Sequence, residues 1–290
     1  MSQLAVRGGE PVRTEPFPKW PIWGDEEIDN LTTVVKNGQW GCLKGQVTEQ
    51  FEQKFAKFQE AKYGIAVNSG TTALQIALMA ADVQPGSEVI VPAYTFIATA
   101  TAVVEMGAVP VFVDIDPETY NIDPNAIEKA ITEKTGAIMP VHFAGRSADM
   151  DAIMDIAKQH HLKVVEDAAQ AWGSEWKGRR LGAIGDAGCF SFQSSKNINA
   201  GEGGIILTND DTVAKFARSH SNCGRSEDGL WYEHFYFGGN TRITEFQSAV
   251  LLAQLDRYEE LMNIRQENMR YLNTNLKEID GFTRLRYRTL

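Results

Sequence analysis

The chain of 290 residues has only three cysteines, Cys42, Cys189 and Cys223, too far apart for a disulfide framework or a zinc-binding spacing. That scarcity predicts a reducing, cytoplasmic setting. Positive charge is also short: 28 Lys and Arg face 38 Asp and Glu, a formal net charge of -10. A surface of that sign argues against nucleic acid or an anionic membrane as the main partner. No apolar run approaches the ~20 residues of a membrane span, and the N-terminus carries no apolar leader segment. Low-complexity stretches and internal repeats are lacking too. Apolar residues, by contrast, make up 43% of the chain, enough for one large core or a core with a smaller second domain.

From residue 65 onward, short β-rich runs alternate with helical stretches. The runs are Ile65–Val67, Glu88–Val91, Val109–Val113, Ala137–Met139 and Lys163–Val165, with helices expected over 71–82, 95–107, 124–132 and 149–160. This alternation predicts βαβ units: an α/β fold with a mostly parallel sheet covered by helices on both faces. Two further strands, Gly188–Phe192 and Gly204–Thr208, flank a loop containing Lys196. Before residue 60 the chain reads as peripheral. A helix opens at Asp25-Glu26-Glu27 and stops at Asn37-Gly38, and Phe51, Phe55 and Phe58 recur at helical spacing as a core-facing stripe. A long helix begins near Thr244, with Phe246, Val250, Leu251 and Leu255 on one face.

The chemistry concentrates where strands end. Lys196 follows Ser191-Phe192-Gln193-Ser194-Ser195, and the apolar run Val164-Val165 ends in Glu166-Asp167. An amine after one strand and a carboxylate at the end of another suit pyridoxal phosphate. The lysine forms an imine with the aldehyde, and the carboxylate keeps the pyridine nitrogen protonated. Strand alternation turns Glu166 to the other face, so Asp167 is the expected partner, and Gln170 is expected to bond the ring oxygen or a nearby backbone group. The bland reading of Lys196 is a solvated surface charge. Asn68-Ser69-Gly70-Thr71-Thr72 opens a helix, either as a phosphate cradle or as an ordinary N-cap. Phe96, in Pro92-Ala93-Tyr94-Thr95-Phe96, is either a ring-stacking aromatic or a core residue. Glu202, in Gly201-Glu202-Gly203-Gly204, reads equally as a solvated turn residue. Gly238-Gly239-Asn240 is a turn whose amide also suits a phosphate. His160-His161 reads as a helix C-terminus rather than a metal site, and His142 as a residue at a strand end within reach of the site.

Taken in order, these motifs, with Pro140-Val141-His142-Phe143-Ala144-Gly145 and Gly239-Asn240-Thr241-Arg242, resemble the DegT/DnrJ/StrS family of pyridoxal phosphate-dependent sugar aminotransferases. The likeness spans about residues 4–280 and leans toward the inosose aminotransferase and aminohydroxybenzoate synthase branch. It implies the fold-type I architecture and a homodimer with sites at the subunit interface. By motif, Lys196 is the imine lysine and general acid/base, and Asp167 holds the pyridine nitrogen. Phe96 stacks on the ring, while Thr71, Thr72 and Ser191 bind the phosphate. Asn240 reaches the neighbouring subunit's phosphate. Gln170 stands where many relatives have histidine. Related sugar dehydratases replace the lysine by histidine, so Lys196 favours amino transfer.

The implied reaction takes an amino group from glutamate or glutamine to a keto-sugar or keto-cyclitol. The rivals are elimination with aromatisation at the same site, and a non-catalytic homologue. The expected organisation is a peripheral segment (1–60), a large cofactor domain (61–241) and the start of a small domain (242–290). That small domain reads as cut short, because relatives continue for about a hundred residues. On that reading Val250, Leu251 and Leu255 are left bare.

Overall fold

The computed structural model describes residues 3–226, 229–276 and 279. Its main sheet contains β1 (Tyr63–Val67), β2 (Glu88–Pro92), β3 (Val109–Val113), β4 (Thr135–Ile138), β5 (Lys163–Asp167), β8 (Ala187–Ser191) and β9 (Gly204–Thr208). The pair β6 (Glu175–Trp176) and β7 (Arg179–Arg180) forms a small separate ribbon. The order across the main sheet is β1-β9-β8-β5-β4-β2-β3. The chain returns from β8 to β9 through residues 192–203, and β9 runs antiparallel to β8 and to β1 as well. The pairs β5–β8, β4–β5, β2–β4 and β2–β3 are parallel. The expected α/β class and mostly parallel sheet are therefore observed.

Helices cover both faces: α1 (Asp25–Asn37), α2 (Val47–Phe58), α3 (Gly70–Ala80), α4 (Ala98–Glu105), α5 (Pro124–Ala130), α6 (Met150–His160), α7 (Asp211–Ser221), α8 (Glu245–Asp256) and α9 (Tyr258–Leu276). Strand alternation sorts the core into two layers. On one face Ile90, Ile138, Val164, Phe190 and Ile205 pack with Phe51 and Phe55 of α2. On the other, Val89, Val91, Val165, Cys189 and Ile206 pack with Leu74, Ile76 and Leu78 of α3. Helix α4 begins three residues later than periodicity predicts. Residues 93–97 instead bend over the sheet edge, held by the Ala93 N–H on the Val113 carbonyl (2.8 Å).

The expectation of a bare stripe on α8 is wrong. Leu251 and Leu255 are buried and Val250 is half-buried, because α1 and α2 pack against α8. The first sixty residues thus supply the cover that was sought beyond the end of the chain. Glu245 fastens the arrangement: its carboxylate accepts the Val47 N–H (2.8 Å), the Thr48 N–H (2.9 Å) and the Thr48 hydroxyl (2.6 Å) at the start of α2. Gly45 is needed beside it, since an added Cβ would lie 2.0 Å from Glu245 Oε2. Glu27 of α1 accepts from Arg257 Nη1 (2.7 Å) and Gln254 Nε2 (2.7 Å). Residues 280–290 of the expected small-domain start lie outside the described residues.

Candidate active site

Three strands end, and a fourth begins, in one row. Asp167 closes β5 opposite Cys189, Ser191 closes β8 opposite Gly204, and Gly204 in turn faces Val67 at the end of β1. This is the carboxyl edge where α/β sheets bind ligands. Helix α3 starts three residues past Val67. Its first residue must be glycine, because a Cβ on Gly70 would sit 2.7 Å from Ser191 Cβ. The close approach gathers Thr71, Thr72 and Ser191 around the first turn. Ser69 is the cap: its Oγ accepts the Thr72 N–H (3.1 Å) and bonds the Thr72 hydroxyl (2.9 Å). The N-cap reading is correct for Ser69, which leaves the anion reading to Thr71, Thr72 and Ser191. No acid stands in this turn, so the positive end of the helix is not neutralised from within.

Asp167 is buried. Its Oδ2 accepts from Thr99 Oγ1 (2.7 Å) and its Oδ1 from the Ala169 N–H (3.2 Å). Burial pushes its pKa up, and Thr99, Ala169 and the charge of Lys196 only partly offset that. Lys196 lies on the β8–β9 loop, which is pinned by Lys196 N–H to the Gln193 carbonyl (2.8 Å) and Ser194 N–H to the Gly201 carbonyl (2.9 Å). Trp20 reaches in from the N-terminal segment and donates its indole N–H to the Ser194 carbonyl (3.1 Å). The Lys196 amine is half-buried, and burial lowers its pKa against the pull of Asp167. A depressed amine is more often neutral and so a better nucleophile.

Lys196 and Gln170 line an open cleft of about 320 Å³ with Ala144, Trp172, Ser195 and Asn197. Gln170 Oε1 accepts the Ala144 N–H (2.8 Å), which leaves its NH2 group for other acceptors. Phe96 is 73% exposed in the bend before α4, and Asn240 is exposed beside Thr241, whose carbonyl accepts the Asn68 N–H (2.8 Å). The structure thus brings Lys196, Asp167 and Gln170 to one region and Thr71, Thr72 and Ser191 to the adjacent turn. Phe96 and Asn240 stand free on this chain's surface. Glu202 is exposed, as its solvated-turn reading expects.

Thr99 was missed. Its signal was faint: Thr95 and Thr99 stand at i, i+4, and their hydroxyls are 2.8 Å apart. His142 does not reach the site. Its ring bonds Glu166, which β5 directs to the opposite face from Asp167. Among the described residues no group of three or more His, Cys, Asp or Glu is arranged to hold a metal ion, and no helix is long and apolar enough to cross a membrane.

These groups fit pyridoxal phosphate: a helix N-terminus with hydroxyls for the phosphate, a buried carboxylate that lacks a full counter-charge, and an amine depressed by burial. Comparison with known proteins points the same way. A Streptoalloteichus tenebrarius protein provisionally named L-glutamine:3-amino-2,3-dideoxy-scyllo-inosose aminotransferase is 44% identical over 285 residues, 97% of this chain and 68% of its own. The 3-amino-5-hydroxybenzoate synthase of Amycolatopsis mediterranei is 42% identical over 267 residues, 91% of this chain and 69% of its own. A crystal structure of 3-amino-5-hydroxybenzoic acid synthase superposes with a TM-score of 0.88 at 42% identity, over 92% of this chain and 70% of that one. Residues 21–289 match the model of the DegT/DnrJ/EryC1/StrS aminotransferase family, and the chain belongs to that family.

Proposed function

We propose that the protein is a pyridoxal phosphate-dependent aminotransferase that moves an amino group from glutamine or glutamate to a keto-cyclitol or keto-sugar. The observation that carries this reading is the placement of half-buried Lys196 on one cleft with Gln170, with the buried carboxylate of Asp167 at the strand end three residues before Gln170, next to the α3 turn. Bound there, the cofactor supplies an aldehyde that takes up amines and a ring that withdraws electrons from the carbon beside the nitrogen. Lys196 Nζ would hold the cofactor at rest. With the cofactor bound, Lys196 Nζ would be the base that moves a proton between the substrate carbon and the cofactor, in one direction for the donor and in the other for the acceptor. Asp167 would keep the proton on the ring nitrogen. Thr71, Thr72 and Ser191 would hold the phosphate, Gln170 would donate to the ring oxygen, and Phe96 would lie against the ring.

Relatives named L-glutamine:2-deoxy-scyllo-inosose aminotransferase, one of them 38% identical from Micromonospora echinospora, favour glutamine as donor and a cyclitol as acceptor. The likeness to 3-amino-5-hydroxybenzoate synthase favours a second reading, elimination with aromatisation at the same site. The exposed aromatics Trp231, Tyr232, Phe235 and Phe237, together with Phe96 and Ile97, support a homodimer. In it Asn240, beside the aromatic segment, would serve the partner's phosphate. Three free cysteines support a cytoplasmic setting. The chain from 242 on is read as the start of a second, smaller domain, in keeping with the exposed Ile264, Tyr271 and Leu272 of α9.

The test is incubation of the cofactor-loaded protein with L-glutamine and 2-deoxy-scyllo-inosose, with products read by mass spectrometry. An aminated cyclitol is expected, absent with Lys196→Ala. Amination of a nucleotide-linked keto-sugar alone would overturn the cyclitol assignment. Borohydride reduction that fixes the cofactor on another lysine would overturn the site.

A further inference from the structure

The Pro140-Val141-His142 motif has no part in the chemistry above, yet it surrounds Asp167. His142 and Glu166 are both fully buried. His142 Nδ1 accepts the Ala148 N–H (3.3 Å), which leaves the ring proton on Nε2, donated to Glu166 Oε2 at 2.8 Å. Glu166 accepts three more hydrogen bonds, from Gly182 N–H (2.8 Å), Ile184 N–H (2.8 Å) and Gly185 N–H (2.7 Å). Burial alone would raise its pKa, but His142 and these N–H groups outweigh burial and hold it below the usual carboxylate range. A buried anion with four donors is a rigid anchor.

The segment that ends in this anchor also grips the site. The Pro140 carbonyl accepts the Asp167 N–H (2.9 Å), and the His142 N–H donates to the Asp167 carbonyl (3.1 Å). Two residues on, the Ala144 N–H holds Gln170 Oε1. Both main-chain groups of Asp167 and the side chain of Gln170 are therefore tied to residues 140–144.

We propose that His142 is a positioning residue: by bonding Glu166 behind the sheet, it fixes residues 140–144 and so sets Asp167 and Gln170 against the cofactor. His142 is fully buried and does not line the cleft of Lys196 and Gln170. The inference rests on the reading of Asp167 as the partner of the ring nitrogen. The titratable groups around Asp167 are Lys196, Cys189 and the Glu166–His142 pair.

The experiment compares His142→Gln with His142→Asn. The glutamine amide reaches about as far as Nε2 and keeps the bond to Glu166, whereas the asparagine amide mimics Nδ1 and loses it. The readouts are the pH midpoint of the bound cofactor's visible band and the thermal midpoint of the cofactor-free protein, with Asp167→Asn as reference. His142→Asn is expected to move the pH midpoint in the direction of Asp167→Asn by about half a unit or more, roughly a threefold change in proton affinity. His142→Gln should restore it. If His142→Asn does not fold, Glu166→Gln, which weakens the anchor from its other side, should show the same displacement. Loss of thermal stability with an unmoved pH midpoint would make His142 a space-filling core residue and overturn the proposal. A reference variant with an unmoved midpoint would instead overturn the reading of Asp167, and this inference with it.

Discussion

Thr99 Oγ1 donates to Asp167 Oδ2 at 2.7 Å, so a helix that follows one strand steadies the carboxylate that ends another, 68 residues away. Thr99 is fully buried and shares its hydroxyl with Thr95. The bond favours the charged carboxylate, and its loss would raise an Asp167 pKa that burial already raises. Thr99→Val keeps the shape and removes the bond. Turnover should fall about tenfold, the equivalent of ~1.4 kcal/mol, within the range of one hydrogen bond to a charged group. The acid limb of the pH–rate profile should move to higher pH. An unchanged profile would show that Thr99 only fills space.

Asp167→Asn separates folding from chemistry. The folded pKa of Asp167 lies above the unfolded value of about 3.9. Its ionisation therefore costs the cofactor-free fold stability as pH rises through that range, and the cost is complete above the folded value. The cofactor-free variant should melt at or above the wild-type temperature at pH 8, with the gap closing near pH 4. Its turnover should drop by at least about 100-fold, because the ring nitrogen loses its partner. Calorimetry at the two pH values and steady-state rates check both halves.

A shared site is tested by mixing. Lys196→Ala and Asn240→Ala should each be inactive alone. After subunit exchange, a heterodimer would contain one site with both residues intact, and about a quarter of wild-type activity is expected from a statistical mixture of dimers. No recovery after exchange verified by native mass spectrometry would place both residues of a site on one chain.

Glu27 and Arg257 make the opposite pH argument. Burial alone would raise Glu27, but bonds from Arg257, the Gly24 N–H and Gln254 outweigh it and hold the pKa low. Its contribution is full above the unfolded value of about 4.3 and is lost as pH falls through the lower folded value. Glu27→Gln should cost roughly 2–4 kcal/mol near pH 7, as expected for breaking a largely buried pair from one side. The difference from wild type should shrink below pH 4 in denaturant titrations.

The site was legible wherever strand ends carried chemistry. Asp167 was separable from Glu166 because side chains alternate along a strand, and β9 was bounded correctly by Gly204 and Thr208. Thr99 and His142 were not legible, because their partners lie on other strands and periodicity marks burial without saying what a buried polar group touches. The start of α4 was misplaced for a related reason. Local pattern favours helix through Tyr94-Thr95-Phe96, but the chain must first clear the sheet edge. The cover of α8 was unreadable because it comes from residues some 200 positions earlier, beyond any local window.

That last distance orders the protein's assembly during synthesis. Thr48 and Glu245 are 197 residues apart, and among the described strands β1 pairs with β9, Tyr63 opposite Thr208. A ribosome adding about 5–20 residues per second therefore holds α1, α2 and β1 for roughly ten to forty seconds before their partners emerge. The stripe of Phe51 and Phe55 waits that long without its full cover, while β2 to β5 can already pair among themselves. Helices α1 and α2 and strand β1 are thus made before the partners that they dock against, and Phe51 and Phe55 are the apolar surface that this order leaves open longest.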